Sequence, residues 1–309
     1  MQDLITLAEV EDAWARRGPE VRRTPIVPLA REAGEVGAES LFLKLENLQV
    51  TGAFKARSAF YVLSLLSTEE RARGIVLGSS GNFAQAFAYA GKAMGAKVVV
   101  VMLERASPFK VEAVRRYGTE VVFCANDYLA RQPKVEEVAT ERGMIAFDAE
   151  EDRRAIVGHS GVGTEILEQM PEAGTIVAPC AAGGLLAGIA NAVKLTKPHV
   201  RVVGAQPVGA CALHASLAAG EAVTVKEWNS MADALSSTRP SDISFPHVQA
   251  RVDDVVLVTE EEIAGAFRLL LHRTKVLAEP AGAVPVAACL GGKVKGSGKT
   301  VAVVSGGNL

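Results

Sequence analysis

Residues 41–59 read LFLKLENLQVTGAFKARSA and describe one strand, one turn and one helix in succession. The apolar run 41–45 predicts the strand, Thr51-Gly52 predicts the turn, and a helix begins almost at once with Lys55 in its first turn. A lysine is unusual there, because the positive end of the helix dipole disfavours a second cation. This position should lower the pKa of Lys55, which suits covalent amine chemistry, although a solvated lysine on an amphipathic helix is the simpler interpretation.

The rest of the chain repeats this alternation of short β-branched runs with longer helical segments, which is typical of parallel sheets with crossover helices. Predicted strands lie at 74–77, 97–102, 120–123, 175–178, 200–204 and 300–304, and predicted helices at 82–94, 108–117, 185–195 and 260–274, the last with a capping box at Thr259 and Glu262. A chain of 309 residues exceeds the size of one ordinary core, so we expect two lobes. We predict an α/β fold in which residues 1–72 plus 150–309 form a large lobe and 73–149 a small inserted lobe.

Charge and composition favour a small-molecule partner. The formal net charge of -2 offers no field to attract nucleic acid, and no window approaches the roughly 20 apolar residues that span a membrane. The N-terminus lacks a basic segment followed by an apolar stretch, so a cytoplasmic location is expected. Cys124, Cys180, Cys211 and Cys289 lie far apart, and we expect buried free thiols rather than a zinc site or disulfides.

Three further strand ends carry small or polar residues. At Gly78-Ser-Ser-Gly-Asn-Phe, amides and hydroxyls at a helix start could receive a carboxylate, or the stretch could be a simple helix cap. At Cys180-Ala-Ala-Gly-Gly-Leu, unpaired amides at the next helix start could hold a phosphate, or the small residues could form a tight packing turn. At Ser305-Gly-Gly-Asn, the hydroxyl could meet a ring nitrogen beside a planar group, or the segment could be a closing turn.

Together these motifs give the chain a resemblance to a known family. The similarity covers nearly the whole sequence, and its motifs are Arg23-Thr-Pro, Leu45-Glu-Asn-Leu-Gln, Thr51-Gly-Ala-Phe-Lys, Ser80-Gly-Asn, Gly183-Gly-Leu-Leu-Ala-Gly, Glu279-Pro-Ala-Gly and Ser305-Gly-Gly-Asn. The chain resembles the fold type II pyridoxal-phosphate enzymes, in the branch of threonine and serine dehydratases and serine racemases. The resemblance implies pyridoxal 5′-phosphate (PLP) as the cofactor, two lobes that each hold a largely parallel sheet with the active site between them, and a homodimer.

The resemblance also implies roles for individual residues. Lys55 would be the catalytic lysine that holds the cofactor, Asn82 would hydrogen-bond its phenolic oxygen, and Ser305 would face its pyridine nitrogen. The expected cofactor contacts are Phe54, Lys55, Asn82, Ala181, Ala182, Gly183, Gly184, Leu185, Glu279, Ser305 and Gly306, of which Ala181 to Gly184 would hold the phosphate. The expected substrate contacts are Ser79, Ser80, Gly81, Asn82, Phe83, His159 and Ala234.

The implied activity is elimination of water and ammonia from a β-hydroxy amino acid, such as threonine or serine, to give a 2-oxo acid. Lys55 would remove the α-proton. Ser80 is a second expected catalytic residue and keeps racemisation open as an alternative, since a serine at this place in the racemase branch supplies a proton from the face opposite the lysine. A β-replacement synthase fits the sequence around Lys55 less well, and a non-catalytic binding protein of the same fold is a further alternative.

Several residues depart from the family pattern. Ala181 and Ala182 replace two of four usual glycines, and each Cβ would cost about 1 kcal/mol or more wherever a positive φ is required. Phe83 stands where a histidine is common, His159 near where a glutamine is common, and Ala234 in place of a frequent glycine. An atypical substrate such as hydroxyaspartate or phenylserine therefore stays open, and His159 could instead be a hydrogen-bonded structural histidine.

Two absences are also expected. Some relatives bind a divalent cation through a glutamate and an aspartate, whereas this chain has Gln206 and Ala212 at the matching places near Ala210, so no metal is expected. The sequence stops after the Ser305-Gly-Gly-Asn turn, without the regulatory domain of biosynthetic threonine dehydratases. Feedback by isoleucine is therefore not expected.

Overall fold

The computed structural model describes residues 3–29, 40–296 and 298–309. Within these ranges the α-helices, α1 to α12, span Leu7–Ala15, Lys55–Ser64, Thr68–Arg73, Asn82–Met94, Pro108–Arg115, Arg131–Arg142, Arg153–Gln169, Gly184–Thr196, Ala212–Ala219, Phe245–Arg251, Glu260–Leu269 and Pro280–Leu290. The strands, β1 to β10, span Ile26–Pro28, Leu41–Leu45, Ile75–Gly78, Val98–Leu103, Glu120–Cys124, Ile145–Phe147, Ala173–Pro179, Arg201–Pro207, Asp254–Val258 and Lys299–Val304. The predicted α/β class is confirmed.

The strands form two sheets. The larger has the order β1-β2-β10-β7-β8-β9, and all its pairs are parallel except β1 with β2. The smaller has the order β5-β4-β3-β6 and is parallel throughout. Parallel strands gather their carboxyl ends at one edge, where ligands bind in open α/β folds. The strands of the smaller sheet lie within residues 75–147, while the proposed lobe boundaries at 73 and 149 stay a prediction.

Helix α2 is held by both lobes. Phe60 packs in the same core as Leu77 of β3, on the side of the smaller sheet. Tyr61 belongs instead to the core of the larger sheet, together with Ile156 of α7. Burying each large apolar side chain stabilises by roughly 1.5–3 kcal/mol, so both attachments are firm. The first residue of this helix, Lys55, therefore lies where the two lobes meet.

Glycines allow α7 to lie close to both α2 and α8. A Cβ on Gly158 would lie 2.6 Å from Cα of Ser58 on α2. A Cβ on Gly188 of α8 would lie 2.8 Å from the backbone oxygen of Ile156. Larger residues would push the helices apart, since atoms do not approach to such distances without a shift. Helix α7 is thus fixed between the first turns of α2 and α8.

The predicted elements agree with the structure to within a few residues, with some exceptions. The helix predicted at 260–274 begins at the expected capping box but is α-helical only to Leu269, and Leu270–Thr274 continues as a π-helix. Strands β1, β6 and β9 were not predicted, nor were helices α1, α3, α6, α7, α9, α10 and α12. All four cysteines are free, but only Cys124 and Cys180 are buried, whereas Cys211 and Cys289 are partly exposed. In the described ranges, no helix combines the length and apolar character that a membrane crossing needs.

Candidate active site

The turn before α2 brings Lys55 beside the C-terminal segment. The amide of Phe54 donates to the carbonyl of Ser305 at 3.0 Å, and the amide of Gly307 donates to the carbonyl of Gly52 at 2.9 Å. Ser305 directly follows β10 and is 3% exposed. The first and last sequence motifs therefore meet in one place, at the carboxyl end of a central strand.

The amine of Lys55 lies against two aromatic rings. Nζ is 4.0 Å from the ring centroid of Phe83 and 4.7 Å from that of Phe54. Burial lowers the pKa of Lys55 from 10.5 to about 8, and the carboxylates of Glu150 and Glu279 act in the opposite direction. The predicted direction is confirmed, but its main cause is burial rather than the helix dipole. Part of the amine is therefore neutral near physiological pH and available as a nucleophile or base.

A chain of hydrogen bonds starts at Asn82, the first residue of α4. Asn82 Nδ2 donates to both carboxylate oxygens of Glu279, at 3.0 and 3.2 Å, and Asn82 Oδ1 accepts from Asn308 Nδ2 at 2.7 Å. The amide of Glu279 donates to the carbonyl of Gly306 at 2.9 Å. Burial raises the pKa of Glu279 to about 7, while the hydrogen bond from Asn82 lowers it. Three residues assigned to the cofactor thus lie together, and their contact with it stays a prediction.

The turn from β7 to α8 contains Ala181 and Ala182, whose Cβ atoms would be strained at a positive φ. Within this turn a positive φ is confined to Gly183, at 106°, so Ala181 and Ala182 avoid the strain that their Cβ atoms would cause. The carbonyl of Ala182 accepts from the amide of Ser241 at 2.9 Å and from Ser244 Oγ at 2.6 Å. A Cβ on Gly183 would lie 2.9 Å from that hydroxyl oxygen. Glycine is therefore required only at the third position of the turn.

This turn also provides a site for an anion. Gly183 precedes α8 without a side-chain cap, so the first amides of the helix, from Gly184 onward, have no intrahelical partner. Such amides and the positive end of the helix dipole favour a phosphate group. Leu185 is buried in the core beside them. The turn therefore fits the phosphate assigned to it.

The turn from β3 to α4 and the start of that helix hold five of the seven residues assigned to the substrate. The amide of Gly81 donates to Ser79 Oγ at 3.3 Å, and no side chain caps the helix start at Asn82. Ser80 Oγ is enclosed and has no hydrogen-bond partner among the described residues. Such a group costs roughly 1–3 kcal/mol when it stays unpaired, which points to a ligand at this turn.

His159 lies on α7 beside the same two aromatic rings. Its ring centroid is 4.8 Å from that of Phe54 and 5.7 Å from that of Phe83. The side chain is 2% exposed, and its Nδ1 finds no hydrogen-bond partner in the described part of the chain. Burial and the charge of Lys55 hold the pKa of His159 well below its ordinary value. No hydrogen bond within the described residues supports the alternative of a hydrogen-bonded structural histidine, and the role of His159 stays a prediction.

Ala234 is more loosely connected with the other assigned residues. It is exposed in the short helical turn Asp233–Leu235. The neighbouring Asp233 carboxylate lies 3.7 Å from Lys110 Nζ on α5 and raises the pKa of Glu279, so this turn lies near Glu279. Contact of Ala234 with a substrate stays a prediction.

Gln206 supports the phosphate turn. Its Nε2 donates to the carbonyl of Ala181 at 3.4 Å, and its Oε1 accepts the amide of His214 at 3.0 Å. Gln206, which stands where some relatives have a metal-binding carboxylate, therefore uses its side chain in hydrogen bonds. The expected absence of a metal stays a prediction.

The sequence reasoning missed two acidic residues in the segment before α7. Glu150 acts on the charge of Lys55, as described above. The Glu151 carboxylate accepts from Ser241 Oγ at 3.0 Å and from the amide of Ile243 at 3.2 Å, and so holds the loop that supports the phosphate turn. Both residues lie in a polar segment without a recognisable motif, so only the fold reveals their position.

Known proteins resemble this chain along nearly its whole length. Residues 18–306 match the family described as "Pyridoxal-phosphate dependent enzyme". The L-threonine ammonia-lyase of Geobacter sulfurreducens is 39% identical over 301 residues, which cover 97% of this chain and 75% of that protein. Maize serine racemase has a similar structure, with a TM-score of 0.93 and 34% identity over 99% of this chain and 94% of that one. A serine racemase from Dictyostelium discoideum has a TM-score of 0.90 and 33% identity over 99% of both chains. The chain therefore belongs to the pyridoxal-phosphate-dependent enzyme family, in the branch of threonine ammonia-lyases and serine racemases, and its cofactor is PLP.

Proposed function

We propose that the chain is a PLP-dependent lyase that converts a β-hydroxy amino acid into a 2-oxo acid and ammonia, and that L-threonine is a substrate. The β-hydroxyl group leaves as one molecule of water, and one molecule of water is taken up when the carbon–nitrogen bond is hydrolysed. The net products are therefore the 2-oxo acid and ammonia. The observation that carries the proposal is the Lys55 amine, whose pKa is lowered to about 8 by burial and which lies against the rings of Phe54 and Phe83, one assigned to the cofactor and one to the substrate.

The chemistry of proton removal follows from the surroundings of Lys55. PLP, when bound, withdraws electrons from the substrate Cα and so acidifies its C–H bond. A base in this place must be neutral at working pH, and the lowered pKa of Lys55 provides a neutral fraction near pH 7 to 8. The rings of Phe54 and Phe83 pack against the amine and reduce its contact with water, which favours its neutral form.

The turn Ser79–Asn82 is suited to the substrate carboxylate. It offers the start of α4, where no side chain competes for the free amides, together with the unpaired hydroxyl of Ser80. Asn82 is fixed by Glu279 and Asn308, so its side chain cannot turn toward the amides. A carboxylate bound here would hold the substrate in one orientation for elimination.

Ammonia release from a panel of amino acids tests the proposal. We expect release from L-threonine, with the L and D forms of serine, hydroxyaspartate and phenylserine defining the specificity. Lys55→Ala should lower kcat by at least about a thousandfold and abolish fixation of the chromophore by borohydride. Full activity in this variant would reject the role of Lys55, and ammonia release from none of the panel would reject the lyase.

Racemisation is a second candidate, favoured by the unpaired hydroxyl of Ser80. A racemase needs a proton donor on the face opposite the lysine, and an enclosed serine can supply one. Chiral analysis of recovered substrate separates the two activities. Ser80→Ala should abolish racemisation and retain ammonia release if elimination is the main reaction, whereas racemic substrate without ammonia would favour the racemase.

The homodimer and the cytoplasmic location implied by the resemblance stay proposals. Sedimentation velocity of the purified chain would test the first, and fractionation of the source cells the second.

A further inference from the structure

We infer that the imidazole of His159 hydrogen-bonds the phosphate group of PLP. The turn from Ala181 to Gly184 is the phosphate site only if the proposed cofactor placement is correct, so the role of His159 depends on that proposal. It reassigns His159 from the substrate to the cofactor, and it gives the phosphate a side-chain partner in addition to the backbone amides of α8.

The first observation is the distance between His159 and the start of α8. A Cβ built on Gly184 would lie 3.8 Å from His159 Cδ2, and one built on Gly188 would lie 2.8 Å from His159 Cβ. Cδ2 is the ring atom nearest to the Cβ position of Gly184, and Nε2 is bonded directly to it. Gly184 is the first residue of α8, the helix start whose amides lack a cap.

The second observation is what lies on the other side of the ring. Phe54, which precedes Lys55, is 4.8 Å from His159 between ring centroids, and the charge of Lys55 lowers the pKa of His159. His159 therefore lies between the lysine and the anion site. PLP carries its aldehyde and its phosphate arm on adjacent ring carbons, so a group between these two places is on the phosphate side of the cofactor.

The third observation is the unpaired nitrogen. His159 is 2% exposed, and its ring makes no hydrogen bond to the described residues; Nδ1 is enclosed, whereas Nε2, one bond from Cδ2, is the nitrogen that would reach the phosphate. A neutral imidazole has one donor and one acceptor, and leaving either enclosed without a partner is unfavourable. Ser244 Oγ, which lies near Gly183, already donates to the Ala182 carbonyl at 2.6 Å. The hydroxyl proton of Ser244 is therefore engaged, whereas the imidazole of His159 can still form a hydrogen bond.

The position of α7 makes the contact specific. Gly158 and Gly188 allow α7 to pack directly against α2 and α8, so the residue after Gly158 has little freedom to move away. A side chain held in this way donates with little loss of conformational entropy. Glutamine, the residue common near this place in relatives, would also present a donor.

A comparison of two ligands tests the inference. The holoenzyme is freed of PLP, and the dissociation constants of PLP and of pyridoxal, which lacks the phosphate, are measured by absorbance titration. His159→Phe should weaken PLP binding by about ten- to a hundredfold and pyridoxal binding by less than about twofold, as expected for loss of a hydrogen bond to a charged group. His159→Gln should recover most of the PLP affinity, and His159→Met provides a second apolar variant if the phenylalanine variant does not fold.

His247→Phe is the matched control. His247 on α10 is also 2% exposed with an enclosed and unpaired Nδ1 among the described residues, but its charged neighbours are Arg153, Arg251 and Glu9. It should not change the ratio of the two dissociation constants. Circular dichroism confirms that each variant is folded before titration.

Three outcomes would overturn the inference. Equal weakening of PLP and pyridoxal would mean that the ring acts through packing, and unchanged affinity for both would mean that it touches neither. A raised KM for the amino acid at saturating PLP, with unchanged PLP affinity, would return His159 to the substrate. The binding measurements use no amino acid, so they stay informative even if the proposed lyase activity fails.

Discussion

Helices α2 and α7 contribute to two polar clusters in the interior that differ in how completely they are paired. The paired cluster consists of Lys44, Glu46, Arg57 and Glu165. The reactive cluster consists of Lys55, Ser80, His159 and Glu279. Lys55 and Arg57 are two residues apart on α2, and His159 and Glu165 are six apart on α7, so the same helices serve both clusters.

In the paired cluster, every charge faces an opposite charge. Arg57 Nη2 lies 2.7 Å from Glu46 Oε1 and 2.9 Å from Glu165 Oε1, and Lys44 Nζ lies 2.5 Å from Glu165 Oε1. All four side chains are at most 3% exposed. The charges of the two cations and the two carboxylates sum to zero. The amide of Thr24 donates a further hydrogen bond to the Glu165 carboxylate at 2.9 Å.

The reactive cluster leaves groups without partners. Ser80 Oγ and His159 Nδ1 are unpaired among the described residues, and burial shifts the pKa of Lys55 down and that of Glu279 up. This contrast explains how the site is built. Complete pairing fixes α2 against α7, and the groups left unpaired one or two turns away are available to a ligand.

The largest effect is expected when the paired cluster is broken. Arg57→Met leaves two carboxylates and one lysine in the interior, and removing one partner of a buried pair typically costs about 3–5 kcal/mol of the free energy of unfolding. Urea unfolding of the purified variant measures this loss. Arg57→Lys keeps the charge but not the two-pronged geometry, so it should fall between the wild type and Arg57→Met.

Arg153→Met is the control for this experiment. Arg153 also contacts both carboxylate oxygens of a glutamate, Glu9, at 3.0 Å, but each side chain is about one-third exposed. The exposed pair should contribute no more than about 1 kcal/mol. An equal loss in the two variants would show that the buried cluster has no special role.

In the reactive cluster, by contrast, removing a charge should stabilise the protein. A glutamate ionises near pH 4.5 in the unfolded chain but, at Glu279, only near pH 7 in the folded one. Between these values the folded state holds a proton that the unfolded chain has released, so stability falls as the pH rises through this window. Glutamine cannot ionise. From pH 5 to pH 8, Glu279→Gln should therefore gain roughly 2 to 3 kcal/mol relative to the wild type, measured by urea unfolding without the cofactor.

Glu172→Gln serves as the control for pH, since this glutamate is exposed and paired with Lys299 at the surface. The free energy of unfolding of Glu172→Gln relative to the wild type should change little from pH 5 to pH 8. If Glu279→Gln instead loses stability relative to the wild type as the pH rises, Glu279 is ionised in the folded protein. The two clusters would then not differ in how removal of a charge affects stability.

Much of the fold and part of the site could be predicted from the sequence. Strand ends followed by glycine and serine predicted the turns before α4 and α8, because helix starts in parallel α/β folds carry small residues. The motif around Lys55 predicted both its place in α2 and a lowered pKa. These inferences succeeded because they depend on local sequence and on the order of the elements.

Other features depend on contacts that are distant in sequence. Burial is the main cause of the Lys55 shift, and part of it comes from Phe83 on α4, far from Lys55 in the sequence. The unpaired state of His159 Nδ1 and the support given by Glu151 to the loop at Ser241 require the packed structure. The sequence alone left open whether Ala181 and Ala182 adopt a positive φ and are strained. In the structure, this turn has a positive φ only at Gly183.

The smallest effects are expected in this turn, where the groups offered to a ligand are backbone amides. Gly183→Ala places a Cβ at φ 106° and 2.9 Å from Ser244 Oγ, so the turn must shift to relieve roughly 1 kcal/mol or more of strain, and PLP affinity should fall about five- to tenfold because the amides move. Ala182→Gly should leave PLP affinity unchanged, because Ala182 already has an ordinary φ, and should lower the free energy of unfolding by only about 0.5–1 kcal/mol through greater freedom of the unfolded chain. Tighter PLP binding in Ala182→Gly would show instead that the alanine strains the turn, and that this site, like the unpaired groups around it, is held away from its most stable state until the cofactor binds.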